Sequence, residues 1–151
     1  MQELMMQKIQ EYFQENQWDF DKKQNFFISG FTLDDYEAGA LLQIAVHEKS
    51  FLVLTAPDME IPEEFFSAVQ IYTAELNRLL GIGCAYLDQE EKMLTFRTSL
   101  ICADNPPTIE QTGAIIGYTM SMIQDIVTQL LSLLNGEISP EEAAAKAVQP
   151  E

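Results

Sequence analysis

The chain has 151 residues, 47% of them hydrophobic and 21% charged, with 24 acidic residues against 8 basic for a formal charge of −16. Length and composition suit one soluble domain with a core large enough to need no covalent or metal staple. The charge excludes nucleic acid and anionic membrane surfaces as direct partners, since both need clustered Lys and Arg and no basic residue occurs between Arg97 and Lys146.

Residues 2–16 place Met5, Ile9, Tyr12 and Phe13 along one side of a short amphipathic helix. Trp18 and Phe20 alternate with acidic residues, as a brief extended segment or a lid over that helix. The aromatic and β-branched run 25–33 predicts a strand. In 40–47, Leu42, Ile44 and Val46 alternate with Leu41, Gln43, Ala45 and His47, so the first set faces a core and the second a wetter side. A turn at Glu48-Lys49-Ser50 closes a hairpin with strand 51–56, and Pro57-Asp58 breaks it. Pro62 starts a helix to about Leu80 with Phe65, Val69, Tyr72, Leu76 and Leu79 or Leu80 as its buried stripe. Gly81 and Gly83 loosen the chain into a strand ending at Asp88, and the loop 89–92 returns it as strand 93–102. There Leu94, Phe96, Thr98 and Leu100 share one face, and Thr95, Arg97 and Ser99 the other.

The stretch from Thr108 to Asn135 reads as one long helix, capped by a Thr108–Gln111 box and stopped by Gly136. Ile109, Ile116, Met120, Ile123, Val127, Leu130, Leu131 and Leu134 form one apolar ridge; Ile115, Met122, Ile126 and Leu133 form a second beside it. Asp125, Gln124 and Gln129, without flanking Lys or Arg, argue against a membrane span. Ser139-Pro140-Glu141-Glu142 is a second capping box, opening a short helix to about Val148. The order α-β-β-β-α-β-β-α predicts an α+β fold with an antiparallel sheet of about five strands, one face covered by the long C-terminal helix. The boundaries are one domain over 1–148 and a frayed tail at 149–151. Met1-Gln-Glu-Leu carries no basic leader region, and Cys84 and Cys102 lie several pairs apart on one hairpin, too far to bridge. Both features suit a reducing, cytoplasmic setting.

Several short features in fixed order resemble the YbjN family of bacterial proteins. They are the N-terminal helix; a three-stranded meander ending FLVLTAPDMEIPEEF; a second helix ending at Asn77 with Gly83 and the Asp88 turn after it; the Arg97 strand; and the long helix closing Asn135-Gly136 before SPEEA. Cys84-Ala85 departs from the pattern, where an aromatic residue packing on the helix is expected. The resemblance implies a type III secretion chaperone-like fold and a dimeric, acidic, polypeptide-binding class linked to sensory transduction regulation, with no catalytic motif to carry over.

Read on their own, the residues offer little chemistry. His47 is the sole histidine, short of the three or four converging ligands a metal needs. Asp34-Asp35, Glu63-Glu64 and Glu90-Glu91 sit at turns and helix starts, where carboxylates serve as solvated caps. Cys84 has no neighbouring base, and acidic surroundings raise a thiol pKa. What survives is the second ridge of the long helix, Ile115, Met122, Ile126 and Leu133 with Tyr118 at its border, and Arg97 on a strand face. The ridge either packs within its own chain or contacts a twin or client. Arg97 either pairs across the sheet with Glu48 or Asp88 or anchors a partner. The expected function is therefore a non-enzymatic, cofactor-free, homodimeric adaptor or chaperone. It would take a partner polypeptide on an apolar sheet or helix surface whose acidic rim selects basic flanks. A small-molecule sensor with an apolar pocket between sheet and long helix is the alternative.

Overall fold

The computed structural model describes residues 1–149, so Pro150 and Glu151 of the expected frayed tail lie outside the described residues. Helix α1 (Gln2–Glu15) buries Met5, Met6, Ile9 and Phe13. Trp18 and Phe20 then fold back on it, Phe20 stacking on Phe13 with centroids 5.1 Å apart, so they form the lid rather than a strand. Directly after them comes strand β1 (Asp21–Lys23), which raises the expected five strands to six. Its three side chains are exposed, and backbone pairing with β2 (Phe26–Phe31) defines it. Strands β3 (Ala40–Val46) and β4 (Ser50–Pro57) form the expected hairpin, with Leu42, Ile44 and Val46 buried. Pro57 belongs to β4, opposite Ala40, instead of breaking it.

Pro62 keeps an extended backbone at φ −61°, ψ 141°, and a 3-10 turn (Glu63–Phe65) precedes helix α2 (Phe66–Leu79). The helix therefore starts later than its proline suggested, and Leu80, not the exposed Leu79, packs on the core. Strands β5 (Cys84–Asp88) and β6 (Met93–Ile101) follow, then α3 (Ile109–Leu134) and α4 (Pro140–Val148). The Thr108–Gln111 capping box is complete. At the other end Gly136 takes φ +74°, its N–H reaching Leu133 and that of Glu137 reaching Ser132, the paired bonds of a Schellman stop. At α4 the hydroxyl of Ser139 accepts the Glu142 N–H, the forward half of a capping box.

The sheet is antiparallel throughout, in the order β1-β2-β3-β4-β6-β5. The helices lie on one side of it and build two adjoining cores. Under α1 are Phe27, Leu42, Ile44, Phe51 and Val53; under α2 and α3 are Ala85, Leu94 and Phe96, with the alanines of α4 sealing the outside. Helix α3 spans both, contributing Ile116 to the first and Ile123, Val127 and Leu130 to the second. Between these positions the buried hydroxyls of Thr119 and Thr98 meet at 2.6 Å, so a polar pair is satisfied where the cores join. Tyr72 donates to the Ile126 carbonyl at 2.7 Å, tying α2 to α3. Burial, with Asp125 adding to it, holds that phenol far above its usual range, so it stays a donor.

Candidate binding face

Strand alternation sends every second side chain to the side without helices. Those positions are Phe26, Ile28 and Gly30 on β2; Leu41, Gln43 and Ala45 on β3; Leu52, Leu54 and Ala56 on β4. On β6 they are Met93, Thr95, Arg97, Ser99 and Ile101, and on β5 Cys84, Tyr86 and Asp88. The register aligns them in rows: Ile28, Gln43, Leu54, Arg97 and Cys84 lie side by side across five strands. Leu41 is 43% exposed and Ile101 78%, large apolar side chains left in water. A depression of about 490 Å³ opens on this face, lined by Leu41, Leu54, Tyr86 and Met93 with Asp88 and Glu91 at its margin.

The sheet's edges are less inviting than its face. At β5 the Asn77 side chain accepts the Ala85 N–H at 2.7 Å and donates to the Ala85 carbonyl at 2.9 Å, occupying the outward groups of one residue that an added strand would use. These bonds hold the β5 backbone to α2 at Ala85, whose methyl is buried in the core beneath α2. At the other edge, β1 is three residues long and carries Asp21, Lys22 and Lys23. Short, charged edges oppose strand addition.

Arg97 is exposed, and neither Glu48 nor Asp88 is its partner. Its register neighbours are Leu54 and Cys84, while Asp88 lies opposite Met93 at the far end of β5. The guanidinium instead sits 6.0 Å from the Tyr86 ring centroid and donates to Cys84 Sγ at 3.7 Å. Ion pairs among the described residues use Lys8, Lys49, Arg78 and Lys92, not Arg97.

The helical ridge divides. Ile126 is fully buried and Leu133 nearly so, both inside the core of their own chain, because α4 and Tyr72 of α2 pack against that side of α3, so neither is a surface contact. Tyr118 and Met122 are partly buried against the same core, Tyr118 donating to the Ile82 carbonyl at 3.0 Å, and Ile115 packs against the α1 core. The remaining candidates have structural places. His47 is exposed at the β3–β4 turn, and both cysteines are free thiols. Asp88 accepts the Glu90 and Glu91 N–H groups, Asp35 accepts the Thr128 hydroxyl, and Glu63 pairs with Lys92. Among the described residues no three His, Cys, Asp or Glu side chains are grouped to hold a metal, and no helix is long and apolar enough to cross a membrane. Among the described residues, a depression of about 240 Å³ lies where β6 meets the start of α3, lined by Leu100, Cys102, Pro106, Pro107 and Gln111, while the depressions on the bare face and beside α1 lie away from α3. Sequence reasoning placed Leu41 on the wetter side of its strand but did not join Leu52, Leu54 and Tyr86 to it as a surface. The available signal was the unbroken apolar run Phe51-Leu52-Val53-Leu54, with Phe51 and Val53 at one parity and Leu52 and Leu54 at the other, which marks a strand apolar on two faces.

Residues 6–132 match the YbjN family, described as "Putative bacterial sensory transduction regulator". Among solved structures the chain is similar to one described as "YbjN, a putative transcription regulator from E. coli", with a TM-score of 0.67 and 13% identity over 87% of this chain and 93% of that one. No curated protein matches the sequence.

Proposed function

We propose a function for this chain, which belongs to the YbjN family: it is a regulatory protein-interaction module that receives a partner polypeptide on the open face of its sheet. One observation carries the reading. The face that the helices leave bare holds leucines, two isoleucines and a tyrosine, bordered by Asp88 and Glu91 on a chain of net charge −16. An apolar centre buries a partner's side chains, and an acidic border steers in a basic segment. The homodimer expected from the family resemblance would bring two such charges together, so charge complementarity favours a basic partner over a second copy. The blocked edges favour binding across the face over strand addition. A chaperone or adaptor acting in a bacterial cytoplasm is the setting that this surface suits.

Selection of a phage-displayed library of random linear peptides against the immobilised protein tests this. Enriched peptides should carry spaced apolar residues flanked by Lys or Arg. Leu54→Asp should weaken them by about tenfold or more, equivalent to ~1.4 kcal/mol, with an unchanged circular dichroism spectrum. Absence of enrichment, or peptides that bind Leu54→Asp as well as the parent, overturns the proposal.

A further inference from the structure

Arg97 sets a condition on whatever covers this face. It stands in the middle of the central row, with Leu54 on one side and Cys84 on the other. Tyr86 supports its guanidinium from below, and Cys84 takes one N–H through sulfur, a weak acceptor. In a chain with 24 carboxylates and 8 basic residues, this cation is in none of the ion pairs among the described residues. A partner laid over Leu54 and Tyr86 strips water from the guanidinium. Burying that charge without an anion is unfavourable, whereas a planar carboxylate can take two of its N–H groups at once.

We infer that the partner segment carries an acidic side chain for Arg97, set among its apolar residues, and a basic residue for the Asp88–Glu91 margin. The inference rests on the open-face reading and specifies the partner's chemistry. Arg97 lies opposite Cys84, four residues along β5 from Asp88. That is about 13 Å at ~3.3 Å per residue, so in an extended segment the acid and the base stand roughly four positions apart. The pattern is opposite in sign to the surface at each point: negative against the centre, positive against the border. Such an arrangement sets register and rejects uniformly basic segments that charge alone would attract.

The experiment uses synthetic, C-terminally amidated peptides from the selection above, measured by fluorescence anisotropy. Replacing the peptide's Asp or Glu by Lys should weaken binding to the parent about tenfold or more. Arg97→Glu should reverse that preference, and Arg97→Gln should reduce it to within about twofold. Unchanged affinity on both changes overturns the inference while peptides that still fail on Leu54→Asp keep the open face. Free-acid counterparts are measured alongside, and a gain from the free C-terminus with no dependence on the internal Asp or Glu assigns Arg97 to chain ends and overturns the inference as well. Peptides indifferent to Leu54→Asp overturn the inference and the underlying reading together.

Discussion

Gly83→Ala is expected to destabilise the protein by about 3 kcal/mol, the sum of a left-handed backbone strain of ~1–2 and an overpacking cost of ~1–3. Gly83 has φ +86°, and a methyl group there would stand 2.7 Å from Phe96 Cζ and 2.9 Å from the Arg97 carbonyl oxygen. The ring could shift, but it is fully buried between β6 and α3; the carbonyl belongs to the sheet. Gly81, two residues earlier, has no positive φ and nothing within 4 Å of the same added methyl. Gly81→Ala should therefore stay within ~0.5 kcal/mol of the parent. Urea unfolding of the pair checks this, and equal midpoints would show that the β5 entry is not held as tightly as the packing indicates.

Ile126→Asp should prevent folding or cost more than ~4 kcal/mol, because it places an unpaired carboxylate in a dry core. Ile126 is fully buried, its carbonyl already holds the Tyr72 hydroxyl, and the neighbouring Asp125 adds like charge. Ile71 on α2 is 46% exposed, so the same change there should fall within ~0.5 kcal/mol. Thermal melts distinguish the two. A well-folded Ile126→Asp protein would return this residue to the surface ridge that helical periodicity drew.

These two sites show what could be read in the residues and what could not. The β3–β4 hairpin, the Thr108 cap and the Gly136 stop rest on local chemistry, and each appears as the local pattern requires. Strand β1 does not announce itself, since Asp21-Lys22-Lys23 has no apolar alternation and is held by backbone pairing with β2. Glycines 81 and 83 look alike in sequence; only the approach of Phe96 separates them. Periodicity found both apolar ridges of α3 but not their neighbours. That Ile126 and Leu133 are inside follows from α4 and Tyr72 of α2 packing against the same helix, a tertiary event. The bare face of the sheet was hidden for the complementary reason. Strand 51–56 is apolar on both sides, and nothing local says which side the helices take.

The proposed binding of a polypeptide on the bare side of the sheet has a direct physical readout. Methyl NMR of the labelled protein, titrated with one of the selected peptides, tests it most directly. Shifts should concentrate on the methyl groups of Leu41, Leu52, Leu54 and Ile101, which share that face, while Ile71 and Leu79 on the outside of α2 stay in place. Shifts confined to Ile71 and Leu79, or to Met6 beside the glutamine-lined groove between α1 and the β1–β2 hairpin, would contradict it.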